Sequence, residues 1–286
     1  MRLIDVGYTA AGFWRCALAL PVLFLAWRIG AAGAARATLR GSARSEGGAG
    51  WLDPRLGWLV FAGAFFAADL GVWHQSVRYT SVANATLLAN LCPVFVTAGS
   101  VLWLGEKVSG KFIAGLALAL LGSCLLVASS FSISLQTVMG DALGVAAAVV
   151  YTGYLLIVSR ERKRSSAAEV MWWSSLACAV FLLPVVLAVG ESLWPQSARG
   201  WWVLIGLALI SQCLGQGLIA WAMAHLPASF SSVSLLVQPV AAAIFAWILL
   251  GERFGTLQAI GGAVILAGIV VCRLASVASA KAPQPG

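Results

Sequence analysis

The sequence predicts an all-α, polytopic membrane protein. Three observations carry that prediction: the composition, nine apolar stretches long enough to cross a bilayer, and an internal repeat. Of the 286 residues, 61% are apolar and only 10% are charged, against about 25% charged in an ordinary soluble domain. Mean hydropathy is +0.93. The 18 Lys and Arg together with 10 Asp and Glu cannot supply the polar coat that a soluble core of this size requires. A soluble enzyme, a secreted disulfide scaffold and a disordered chain are all excluded.

A membrane-crossing helix takes about 20 mostly apolar residues. The qualifying stretches are 8–28, 57–77, 81–103, 109–128, 139–159, 168–190, 200–222, 228–250 and 256–275. The first is too long for a cleavable signal peptide, and other spans follow it. It embeds one base, Arg15. The second carries Asp69 near its middle and Trp73-His74 toward one end. The third and the eighth hold mid-span prolines, Pro93 and Pro239. The fourth runs without a break from Phe112 to Ala128. Transmembrane β-strands would instead alternate in runs of about 10 residues. The fifth brings Tyr151 and Tyr154 onto one face, and the sixth opens near Trp172. Gln212 and Gln216 lie one turn apart on the seventh. Small residues fill the fourth (Gly115, Ala117, Ala119, Gly122) and the ninth (Gly261, Gly262, Ala263, Gly268). They permit close helix contact and mark scaffold or homodimer helices. The connections are short except 29–56, rich in Gly, Ala, Arg and Ser, and the tail 276–286; both read as flexible polar segments.

The bases set the orientation. Numbering loops by alternate sides puts 13 Lys and Arg on one side and four (Arg2, Arg78, Arg199, Arg253) on the other. The richer side belongs in the cytoplasm. This places a multi-pass protein in the cell (inner) membrane with a cytoplasmic C-terminus. The net charge of +8 is then a topology signal, and no nucleic-acid partner is needed to explain it. Trp27, Trp58, Trp103, Trp172, Trp201 and Trp202 fall at span ends, where an aromatic belt belongs. The six cysteines lie in six different apolar stretches with no CxxC pair. They read as small buried hydrophobes, neither bridges nor metal ligands, and no metal or other cofactor is expected.

The chain repeats itself. Residues 73–128, shifted by 146, fall on 219–274 without a gap. Pro93 meets Pro239, Leu104-Gly105-Glu106 meets Leu250-Gly251-Glu252, Gly115 meets Gly261 and Gly122 meets Gly268. The second repeat has five spans, 139–275; the first has four, 1–128; residues 276–286 form the tail. An odd number of spans per unit turns the second copy upside down, the architecture of many secondary transporters. The counterpart of span 139–159 would precede residue 1, so ten helices are expected where nine are present.

The stretch Phe13-Trp14-Arg15-Cys16-Ala17-Leu18-Ala19-Leu20-Pro21 resembles the second helix of the drug/metabolite transporter superfamily, in its EamA family. Tyr79 to Phe95, followed by Leu104-Gly105-Glu106-Lys107, is similar to the same family, and Ser234 to Val240 with Leu250-Gly251-Glu252-Arg253 repeats the theme. The resemblance implies ten helices in two inverted EamA repeats, and transport, mostly export, of small metabolites across the cytoplasmic membrane. The alternative is a non-transporting subunit or regulator, which an absent first helix would explain. An intramembrane enzyme is disfavoured. The chain has no HExxH and no GxSxG, and Asp69 has no second intramembrane Asp. No GxxxxGK[ST] loop is present to support ATP drive.

Ionisable groups inside a membrane are costly and functional by default. Asp69 is the sharpest candidate: it can receive an amino group, carry a coupling proton, or pair structurally with Arg15. His74 suits proton coupling, with Trp73 beside it. Pro93 and Pro239 break their helices and free carbonyls on the previous turn, which is tolerated where the break lines a cavity. Asn90 and Gln238 sit next to those breaks as candidate substrate ligands, with inter-helix bonding as the structural alternative. Tyr151, Gln212 and Gln216 would suit an amino-acid-like or heterocyclic solute. Glu106 and Glu252, each beside a base, are read as anchoring or gating groups at the membrane surface. No Lys or Arg is expected near the midplane, and a dianionic phosphate would want cations there. The expected substrate is therefore neutral, zwitterionic or cationic, with a proton or substrate exchange supplying the energy.

Overall fold

A computed structural model describes residues 6–39, 54–128, 137–250 and 255–281. Among these residues every regular element is helical: α1 Tyr8–Leu39, α2 Pro54–Tyr79, α3 Val82–Ala89, α4 Cys92–Leu104, α5 Gly110–Val127, α6 Val138–Glu161, α7 Ala167–Val189, α8 Ala198–Gly206, a π-helical segment Leu207–Gln216, α9 Gly217–Ala222, α10 Ala228–Ser234, α11 Val237–Leu250 and α12 Thr256–Lys281. Taken with their continuations, they give nine candidate membrane spans among the described residues, in the order the hydropathy pattern predicts. Large apolar side chains on their outer faces are exposed, Leu102 at 86% and Trp202 at 72%. Surfaces of that kind belong in lipid.

Local chemistry sets the helix ends. Ser81, Ser109, Ser166 and Ser197 each accept a hydrogen bond from the backbone N–H three residues on, starting α3, α5, α7 and α8. Gly105 and Gly190 end α4 and α7 in the left-handed region, both at φ 69°, where a side chain would be strained.

The two proline spans are broken as the sequence predicts. Asn90 and Leu91 separate α3 from α4, and Leu235 and Leu236 separate α10 from α11. Proline cannot donate and crowds the preceding turn. Tighter bonds bridge each gap instead, Val94 N to Leu91 O at 2.9 Å and Gln238 N to Leu235 O at 2.9 Å. The 146-residue shift carries α3 onto α10 and α4 onto α11, consistent with the repeat.

Two elements outrun their expected ends. Residues 29–39 continue α1, and 276–281 continue α12, where flexible polar chain was expected. Both extensions are rich in Ala, with Arg or Lys, which are strong helix formers. The rest of the 29–56 segment up to residue 53, and the tail from 282, lie outside the described residues.

The chain divides into two compact units, each drawing on both halves of the sequence. The first comprises Met1–His74 and Gly153–His225. In it α1 packs along α7 and against the π segment. The approach of α2 to α7 is close enough that a Cβ on Gly63 would stand 2.5 Å from the Ser174 carbonyl oxygen.

The second unit comprises Gln75–Thr152 and Leu226–Gly286. Its centre is α5 against α12, repeat-mates that meet through their glycines. A Cβ on Gly268 would lie 2.7 Å from the Gly115 oxygen, and one on Gly261 would lie 2.8 Å from the Gly122 oxygen. Residues higher in α5 thus meet residues lower in α12, so the two helices cross antiparallel. The repeat shift exchanges the two contacts, which is the geometry of an inverted repeat. The small faces read from the sequence as scaffold or dimer surfaces are turned toward each other within one chain.

Candidate functional site

A connected group of polar side chains lies in the first unit. α1 brings in Arg15, α2 brings Phe66 and Asp69, α6 brings Tyr154, α7 brings Ser175, and the π segment brings Gln212 and Gln216. Arg15 donates from Nε to Oε1 of Gln212 at 2.9 Å. The Gln212 amide nitrogen donates to Oγ of Ser175 at 2.9 Å. Gln212 and Ser175 are fully buried, so both ends of this amide are committed and its orientation is fixed. The guanidinium carbon of Arg15 lies 5.4 Å from the Phe66 ring centroid, a cation–π distance. Phe66 stacks on Tyr154 at 4.8 Å. The Tyr154 hydroxyl reaches Oε1 of Gln216 at 3.4 Å. A buried framework thus holds one cation.

Asp69 stands one turn beyond Phe66 on α2 and is half-buried, as are Arg15 and Gln216. Arg15 lies over the Phe66 ring, one turn from Asp69 on α2, yet among the described residues the two make no ion pair within 4.0 Å, and Asp69 accepts no hydrogen bond. The two groups are of opposite type and do not close on each other.

Arg15 is the eighth residue of α1, and its side chain reaches Gln212, within the 25-residue span Ala198–Ala222. Long cationic side chains travel several ångströms from their own backbone.

The other predicted residues are distributed as follows. Trp73 and His74 are half-buried in the first unit, their rings 5.5 Å apart, and the Tyr8 ring lies 5.8 Å from His74. In the second unit Asn90 caps α3 and donates from Nδ2 to Oγ of Ser123 at 3.0 Å, the inter-helix bond that was its structural alternative. Pro93 is buried, and its carbonyl accepts from the Thr97 hydroxyl at 2.6 Å. Tyr151 and Pro239 are half-buried, and Gln238 is exposed. Glu106 caps α10, accepting from the backbone N–H of Ala228 (2.6 Å) and Ser229 (3.1 Å) and from the Ser229 hydroxyl (2.6 Å). That geometry is anchoring. Glu252 lies outside the described residues.

Sequence reasoning passed over Ser175 and Phe66, ordinary residues of apolar helices that acquire roles only through their neighbours. It also missed the π segment, a helix form frequent at functional sites. Glu191 was missed too; its carboxylate accepts from the N–H groups of Thr9 (2.9 Å) and Ala10 (3.1 Å), capping α1. Among the described residues, no group of three or more His, Cys, Asp or Glu could hold a metal ion.

Comparison with known proteins places this chain among membrane transporters. The model of the EamA-like transporter family matches residues 3–128 and 138–274. An uncharacterised transporter of Archaeoglobus fulgidus is 28% identical over 68% of this chain and 68% of its own length. A probable terminal-alkyne amino-acid exporter of Streptantibioticus cattleyicolor is 30% identical over 68% of this chain and 64% of its own length. A pseudopaline exporter of Pseudomonas aeruginosa is 25% identical over 75% and 72%. The matched stretch thus spans about two thirds of the length of the first two relatives. A solved crystal structure has the same fold, with a TM-score of 0.74 at 20% identity, covering 95% of this chain and 89% of that one.

Proposed function

Because this chain belongs to the EamA-like transporter family of the drug/metabolite transporter superfamily, we propose that it exports small neutral, zwitterionic or cationic metabolites, amino-acid-like or drug-like, across the cell membrane by alternating access. It is a multi-pass membrane transporter of that family. The carrying observation for the finer reading is the half-buried Asp69, deep in α2 and one turn from the Phe66 ring that Arg15 covers, without an ion pair to Arg15 among the described residues. A carboxylate in such a place is expensive to keep. It repays that cost by receiving a cationic group of the substrate or by carrying a coupling proton. Two relatives named as exporters, one of an amino acid, support the direction and the solute class. The thirteen-to-four distribution of bases supports a cytoplasmic C-terminus.

The test is efflux from cells that express the full chain, preloaded either with radiolabelled amino acids or with the lipophilic cation ethidium. Expression is expected to speed efflux of at least one probe, with saturation. Asp69→Asn is expected to abolish that gain or to remove its dependence on the proton gradient. Efflux by Asp69→Asn equal to the parent at every pH would take Asp69 out of the mechanism.

A further inference from the structure

Resting on that reading, we infer that Arg15 determines specificity: it is the carboxylate-binding half of a two-charge clamp whose ammonium-binding half is Asp69, so the preferred solutes are zwitterions with an amine beside a carboxylate. Three features carry this. Among the described residues only Nε of Arg15 is hydrogen-bonded, leaving its two terminal nitrogens open. Those nitrogens are the edge of the guanidinium that grips a carboxylate. The Gln212–Ser175 chain and the Phe66 ring fix the plane of that group from behind, with Gln212 and Ser175 fully buried and Phe66 2% exposed. A cation kept only to neutralise Asp69 would close onto it; instead more than 4.0 Å separates their charged atoms. A solute with a group of opposite polarity at each end, such as an α-amino acid backbone, would neutralise both charges at once. Gln212 is a positioning residue in this scheme and touches no solute.

The test is a thermal melt of the purified full chain in lipid nanodiscs against three equimolar probe mixtures: neutral amino acids, their decarboxylated amines, and their deaminated acids. Only the amino acids are expected to raise the melting temperature. Arg15→Met should weaken that response about tenfold or more in concentration, the scale of removing one partner of a desolvated charge pair. The melting temperature of Arg15→Met without solute reports whether it folds; if it does not, the three-mixture comparison on the unaltered chain decides alone. Equal response to amines or to acids, or an unweakened response in folded Arg15→Met, overturns the inference. Ethidium efflux with no response to amino acids overturns it too, yet leaves the exporter reading standing. Absence of efflux for every probe removes the reading beneath it.

Discussion

Replacing Gly268 by Ala probes the contact at the centre of the second unit. A Cβ built there lies 2.5 Å from the Ala119 nitrogen, 2.7 Å from the Gly115 oxygen and 2.8 Å from the Ala119 Cα. All three are backbone atoms, so no side chain can swing aside. Ordinary contact begins at 3.4 Å, and α5 and α12 must part by about 0.9 Å at this level. Overpacking of this kind costs about 1–3 kcal/mol. Alanine returns at most about 1 kcal/mol through its helix propensity. The control removes that second effect: at Gly71, in α2, a Cβ meets nothing within 4 Å, so Gly71→Ala gains the propensity without the clash. The difference between the two variants then isolates the steric cost, expected at about 1–3 kcal/mol against Gly268→Ala. Reversible unfolding in mixed detergent–SDS micelles measures it. Gly261→Ala, the repeat-mate contact at 2.5 Å from the Leu126 nitrogen, should cost the same within error. A Gly268→Ala protein as stable as Gly71→Ala would refute the close antiparallel packing of α5 on α12.

Other expectations follow from single contacts. Glu106→Ala removes a carboxylate that accepts three hydrogen bonds at the start of α10, and thermal unfolding should show a loss of about 0.5–2 kcal/mol, the range for a lost helix cap. Under the anchoring reading, transport should survive wherever that variant folds. Tyr154→Phe keeps the stack on Phe66 and loses the long hydroxyl contacts to Gln216 Oε1 at 3.4 Å and to the Met171 sulfur at 3.7 Å; stability should fall by about 1 kcal/mol. Gln212→Leu strands Arg15 and Ser175 together, and solute affinity should fall while the variant still reaches the membrane, read as a raised half-saturation concentration for amino-acid efflux.

The spans were legible because each is a long apolar run, and hydropathy measures that directly. The breaks at Asn90–Leu91 and Leu235–Leu236 were legible because proline imposes them through its missing donor. The symmetric glycine contacts of α5 and α12 were foreshadowed by the repeat, though which surface they would meet was not. The site was less readable. Asp69 and the two glutamines stood out as polar residues in apolar runs, but the depth of the Arg15 guanidinium depends on where a long side chain points. The roles of Ser175, Phe66 and Gln212 exist only through tertiary contact. The π register of Leu207–Gln216 left no mark in the sequence, since it changes hydrogen bonding without requiring a residue of special type. Asn90, a polar residue beside a helix break, had two readings in the sequence, solute ligand or inter-helix bond, and only the structure shows its amide bonded to Ser123.

The most direct test of the account is counterflow in proteoliposomes that hold only the purified full chain. With unlabelled amino acids inside, radiolabelled amino acids outside should enter faster than into protein-free liposomes, with saturation, and Asp69→Asn should bring the rate down to the protein-free level. Entry that never exceeds the protein-free rate for amino acids or for ethidium would contradict transport by this chain through the Arg15–Asp69 site.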